Sequence, residues 1–431
     1  MENYNRKLSS LEKTFYLMNK DQPFIIIMCA HLEGLLDIKF LEQALEIMKN
    51  RHGYYLSYYI NKSSNGLEWG YDDKAKIPIE IIEESKKEQW IDICNYEMNI
   101  SVPLNKAPLM KVIYLKKLDG IDIIFKFSHI ISDGISVYNF IRETLIVIDK
   151  LYNKNKIEFP YSLEEKFPDV DFFPEHLTNS NNIENHLHLS NDIIKKNHQY
   201  KMQDRLTHII PFHVEAEKTK VIIEASKNKG FSVNSILAAA LVVNMKNYII
   251  NKLSPDDDFT IKSSAGMNIR DRYLLDLKNE QLGSWAGFGY VFLKNTEINS
   301  FWECAKTFQN RLKEFIDQNQ TFLHLKNFVK VYSENSINNI GTVNSLPYVL
   351  LTNVGKLDMN EWYCESIKLL KLSFMTPMHR HWSNDLGFGI CATTFNGRLN
   401  IVFTYMNPAR NLEQAKEFSN QIIHTIYSSC K

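Results

Sequence analysis

The chain has 431 residues, too many for one simple core and enough for two domains of ordinary size. Hydrophobic residues make up 44% and charged residues 23%, a balance that excludes a disordered or fibrous chain. Fifty basic residues cancel fifty acidic ones, so bulk charge recruits neither nucleic acid nor an anionic membrane.

The opening residues, MENYNRKLSSLEK, hold no apolar stretch of a secretory signal. The best apolar run, Ser235 to Val243, reaches about half of the roughly 20 residues that span a bilayer. A cytoplasmic chain without a membrane span is therefore expected. Cys29, Cys94, Cys304, Cys364, Cys391 and Cys430 form no Cys-x-x-Cys pair and read as reduced thiols.

Taken in chain order, Ser9 and Glu12 have the spacing of a capping box and open a helix. An apolar strand follows at Phe24 to Ala30. Asp37 caps a helix whose core face is Phe40, Leu41, Ala44, Leu45 and Met48. Strands are expected at Tyr54–Ile60, Leu109–Leu115 and Ile121–His129, then a helix over Ser136–Leu151. Residues 156–206, with Pro160, Pro168, Pro174 and polar runs, read as a crossover linker between an N-terminal domain (1–155) and a C-terminal domain (207–431). The second half opens with a strand at Thr207–Val214 and a helix ending at Gly230. Ser232 then caps a helix from Val233 to about Ile249. Strands recur at Thr260–Met267, Gly287–Val291, Tyr348–Asn353, Phe388–Phe395 and Leu399–Tyr405, with Asn396-Gly397 as the hairpin turn between the last two. The alternation predicts an α/β chain of two sandwiches.

The stretch Ile121 to His129 is the most informative and makes His129 a candidate. A period of two puts Ile121, Ile123, Phe125, Phe127 and His129 on one face, so the imidazole finishes an apolar stripe. Asp133-Gly134 follows, then a helix start. A lone His in such a place is usually a hydrogen-bonded core residue, and Asp-Gly is often just a turn.

His129-Ile-Ile-Ser-Asp133-Gly134 resembles the His-x-x-x-Asp-Gly motif of the chloramphenicol-acetyltransferase-like superfamily, which includes condensation domains, plant BAHD acyltransferases and alcohol acetyltransferases. Further segments resemble that group in order: the helix Leu36 to His52, Asn105-Lys-Ala-Pro108-Leu109, Gly230 to Ala240, Met267-Asn-Ile-Arg270 and Leu351 to Asp358. Two departures point to the bacterial alcohol-acetyltransferase-like branch. Ser128 stands where condensation domains carry a second His, and Asp385-Leu-Gly-Phe-Gly389 replaces the plant Asp-Phe-Gly-Trp-Gly block.

The resemblance implies two domains with mixed sheets flanked by helices and an active-site channel between them. It implies transfer of an acyl group from acyl-CoA, or from a phosphopantetheine thioester on an acyl or peptidyl carrier protein, to a small-molecule alcohol or amine. The thioester is a cosubstrate, no cofactor stays bound, and a monomer is expected. His129 is the expected general base. Asp133 is the expected partner of an arginine from the second domain, Arg270, which stands beside the rival charges Asp271 and Arg272. Gly134 lets backbone or substrate approach. Asn353, Trp285 and His379 are candidates for the substrate or oxyanion site. Tyr54, Tyr55, Phe288, Tyr290 and Trp382 are candidates for a hydrophobic acceptor site or simply for the core. His379-Arg-His381 and His186-Leu-His188 have metal-chelate spacing but no third ligand at suitable distance, so no metal is expected. A stand-alone condensation-type amide or ester former acting on carrier-bound substrates is the alternative, together with a non-catalytic docking protein on the same scaffold.

Overall fold

The computed structural model describes residues 6–64, 66–174, 200–253, 258–333, 346–357, 363–364, 367–380 and 385–431. Its compact units interleave along the chain, whereas the sequence reading divides the chain once. The first unit takes residues 1–172, 268–286 and 356–376, and the second takes 173–267, 287–355 and 377–431.

In the first unit the capping box of Ser9 and Glu12 forms, and α1 covers Ser10–Asp21. Strand β1 (Ile25–Glu33) is followed by α2 (Ile38–Arg51), whose first free N–H groups are met by Asp37. Leu41, Ala44, Leu45 and Met48 of α2 are buried as its periodicity predicts, while Phe40 is half-buried and stacks on Tyr152. The expected strand at Tyr54–Ile60 is instead a single turn, α3 (Gly53–Leu56), leading into β2 (Tyr58–Ser63). Strand β2 pairs with β3 (Gly66–Tyr71) in a separate hairpin. Burying Tyr55 and Leu56 consecutively suits a turn, because a strand would send them to opposite faces. Then come β4 (Ile79–Glu83), α4 (Gln89–Glu97), β5 (Met110–Lys116), β6 (Gly120–Ser128) and α5 (Gly134–Tyr152). Arg51, at the end of α2, grips Glu143 of α5 through two 2.8 Å hydrogen bonds.

The second unit opens on β7 (Leu206–Val214), α6 (Ala216–Asn228) and α7 (Val233–Leu253). Strands β8 (Thr260–Asn268) and β9 (Ala286–Lys294) precede α8 (Phe301–Asp317), α9 (Gln320–Ser333) and β10 (Tyr348–Lys356). The chain returns to the first unit for β11 (Tyr363–Cys364) and β12 (Ile367–Met375). It ends in the second with β13 (Phe388–Phe395), β14 (Arg398–Asn407) and α10 (Leu412–Ser429). Asn396 and Gly397 turn the last hairpin with φ of 48° and 70°, the left-handed pair that matches strand twist.

Two mixed sheets result, with strand orders β11-β12-β1-β6-β5-β4 and β7-β14-β13-β10-β8-β9. In the first, β4 and β5 run parallel and the neighbours of β1 antiparallel. In the second, β10 pairs in parallel with β8, while β13, β14 and β7 are antiparallel. Helix α7 is long and apolar enough to cross a membrane by length and composition, more than the Ser235–Val243 run alone suggests. Its side chains from Ile236 to Val242, with Met245 and Ile249, lie in the core of the second unit.

Candidate active site

Strand β6 lies between β1 and β5 and is buried at every position from Gly120 to Ser128. Its polar residues are therefore paired: Lys126 bonds Glu97 at 2.6 Å, and Asp122 bonds His31 at 2.8 Å. The strand stops one residue short of His129, which begins the turn into α5. There His129 donates its backbone N–H to Phe24 O at 2.8 Å and stacks its ring on Phe24 with centroids 4.4 Å apart.

The imidazole of His129 is held from one side by Ser284, whose Oγ lies 3.0 Å from Nδ1. The surrounding protein lowers its pKa below the ordinary histidine value, chiefly through loss of hydration. The nearby Asp133 charge and the backbone carbonyls of His129 and Ser132 pull the other way and only moderate that effect. The ring is consequently neutral near pH 7 while remaining partly exposed.

Asp133 does a different job. It is the N-cap of α5, accepts from Ser136 N at 2.9 Å, and donates its own N–H to Ser136 Oγ. Its Oδ2 accepts from the backbone N–H of Trp285 at 2.9 Å. Arg270 closes the set with Nη1 2.8 Å from Oδ2 and Nη2 3.0 Å from Oδ1. Asp133 is 2% exposed and Arg270 4%, so this two-pronged pair is shielded from water. The sequence reading puts Arg270 in the second domain; the structure places residues 268–286 in the first unit. Gly134 starts α5 immediately after the cap.

Each of the other candidates has its own surroundings. The Trp285 side chain is fully buried and donates its indole N–H to Leu282 O at 3.2 Å, so it is core and does not line a substrate surface. Gly283, with φ of 138°, sits against that ring, and a Cβ there would lie 2.3 Å from Trp285 Nε1. Asn353 belongs to the second unit, where its amide donates to Asn234 Oδ1 at 2.6 Å and its own Oδ1 accepts from Gly355 N. His379 is a buried residue of the second unit. Of the acceptor-site candidates, Tyr55 is buried and donates to Glu12. His381, Trp382, His186 and His188 lie outside the described residues. Ser284 is the residue that sequence reasoning missed. It stands 155 positions from His129, and no spacing rule links a serine there to that imidazole.

Comparison with known proteins gives a consistent family. The sequence matches the family described as Condensation domain over residues 15–430. No curated sequence matches it significantly. Among solved structures, the trichothecene 15-O-acetyltransferase TRI3 from Fusarium sporotrichioides superposes with a TM-score of 0.71 at 11% identity, over 99% of this chain and 95% of that one. The first condensation domain of the CDA synthetase gives 0.68 at 12% identity, over 99% and 96%. The X-domain from teicoplanin biosynthesis gives 0.59 at 12% identity, over 100% and 95%. At such identities the likeness is one of fold.

Proposed function

We infer that this chain, which belongs to the condensation-domain family, transfers an acyl group from a thioester to an alcohol or amine, with His129 as general base. The observation that carries the reading is a neutral imidazole held at Nδ1 by Ser284 beside a separately anchored Asp133. In the tautomer that carries its proton on Nδ1, that N–H faces Ser284 Oγ, and Nε2 is the nitrogen that accepts a proton from the attacking hydroxyl or amine. The nucleophile then adds to the thioester carbonyl. As the tetrahedral intermediate collapses, the C–S bond breaks and His129 returns the proton to the departing thiolate. The sequence yields ester or amide plus free thiol and needs no acyl-enzyme. Asp133 is kept from the imidazole by Arg270, Ser136 and Trp285, which fits a residue that holds the loop and takes no part in proton transfer.

The donor is acyl-CoA or an acyl group on the phosphopantetheine arm of a carrier protein. Ser128, where many condensation domains have a second histidine, favours the alcohol-acetyltransferase-like reading. The likeness to a condensation domain of a synthetase supports carrier-bound donors as the second reading. Thiol release from acetyl-CoA and from acyl-loaded carrier protein, each measured with panels of alcohols and amines, separates them. Acceptor-dependent release with CoA supports the first and release only with the carrier supports the second. No acceptor-dependent release with either donor contradicts acyl transfer and favours a docking role.

A further inference from the structure

A second polar cluster lies on the first sheet, apart from His129. In β1, Cys29 and His31 share a face by the two-residue period. Asp122 of β6 is the direct cross-strand partner of His31, and Ser373 of β12 is the partner of Cys29. Three different donors therefore converge. His31 Nδ1 is 2.8 Å from Asp122 Oδ1 and 3.9 Å from Cys29 Sγ, and the three ligand atoms all lie within 4.8 Å of one another. Cys29, His31 and Asp122 are 0%, 3% and 1% exposed. The cluster sits six residues along β1 from Ile25, which pairs with Ser128 at the His129 end, a span of about 20 Å.

A second observation points to a cation. Asp122 Oδ2 is buried and has no hydrogen-bond partner among the described residues. A buried oxygen left so costs about 1–3 kcal/mol. Lys117 meets the carboxylate through Oδ1, and Oδ2 is the oxygen left open to a further cation.

We propose that Cys29, His31 and Asp122 bind one divalent transition-metal ion, with zinc the best fit. A thiolate, an imidazole and a carboxylate are zinc's ordinary donors, and a soft thiolate disfavours magnesium and calcium. On binding, Cys29 releases its thiol proton to solvent. His31 exchanges its Nδ1 hydrogen bond to Asp122 for the metal bond, and its Nε2–H then donates to Ser373 Oγ, 3.0 Å away. That outer bond fixes the tautomer a ligating histidine needs. Thiolate and carboxylate together balance the ion's two positive charges. Lys117 Nζ stays on Asp122 Oδ1 at 2.7 Å, so the ion takes Oδ2. Lys371 is the other cation facing the cluster, and Trp90 of α4 closes it edge-on at 4.7 Å from the His31 ring. Tetrahedral zinc places a thiolate sulfur and an imidazole nitrogen about 3.5 Å apart, so the 3.9 Å between Cys29 Sγ and His31 Nδ1 closes by roughly half an ångström.

The test uses the full chain expressed in zinc-supplemented medium. The expected result is one zinc per chain by elemental analysis, with a single sulfur ligand by X-ray absorption. Cobalt substitution should give tetrahedral d–d bands and a thiolate-to-cobalt charge-transfer band, and Cys29→Ser should lose the latter while keeping the wild-type circular dichroism. Metal-free wild-type protein with no charge-transfer band on cobalt addition overturns the proposal, whether or not the variant folds. So does a band that survives in folded Cys29→Ser.

Discussion

A histidine works as a base only when one nitrogen is free of a proton and the ring is held at a fixed angle. For His129 the surrounding protein supplies the first condition, while Phe24 stacking and Ser284 supply the second. Ser284 is a positioning residue, so Ser284→Ala should lower kcat by about 2- to 10-fold, the worth of one neutral hydrogen bond, and leave KM alone. An unchanged kcat, or a loss seen only in KM, removes that role. Because the His129 pKa is lowered, kcat/KM should rise with pH along a limb whose midpoint lies below 6.5. A midpoint at or above 6.5 in the wild type contradicts the neutral base. Little of this was legible in the sequence. The period of β6 marks His129 as the end of an apolar stripe, but Ser284 reaches it through tertiary folding alone.

At the scale of elements, the turn from β6 into α5 is held by one carboxylate. Asp133 caps the helix and receives Arg270 and the Trp285 N–H, so it ties α5 to residues 268–286. Removing it leaves Arg270 buried without its counter-charge. Asp133→Ala should therefore cost about 3–5 kcal/mol, read as a lower urea midpoint with an unchanged slope. A midpoint within error of wild type contradicts the anchoring role. The helix was legible from its apolar period of 3.6, but Asp133-Gly134 read as a turn, and its capping of α5 emerges only in the structure. The pairing with Arg270 came from resemblance. At Tyr55 and Leu56 the expected strand failed: two neighbouring large residues are buried together, and tertiary packing chose a turn. Strand β12 escaped notice too, since Leu370 is exposed and Lys371 stands among its apolar positions.

For the whole molecule, the two mixed sheets follow from the alternation of apolar strands and amphipathic helices along the chain. The assignment of residues 268–286 and 356–376 to the first unit does not, because nothing local marks a segment that packs with residues far away in sequence. Burial of several imidazoles also gives the molecule a pH response. His52, His129 and His208 all have folded pKa values lowered by loss of hydration. As pH falls, the unfolded chain binds protons first. Stability should thus be full above about pH 6.5 and decline as pH falls below it. Urea unfolding across pH 7.5 to 5.5 should show that decline, whereas flat or rising stability on acidification contradicts the assigned burial of these rings.

The central claim is that the His129 imidazole moves the proton in acyl transfer. Once an active donor and acceptor are found, turnover of folded His129→Ala measures it most directly. The account predicts a loss of roughly 10²–10⁴-fold in kcat, with circular dichroism and urea midpoint close to wild type. A folded His129→Ala that releases thiol at the wild-type rate contradicts it.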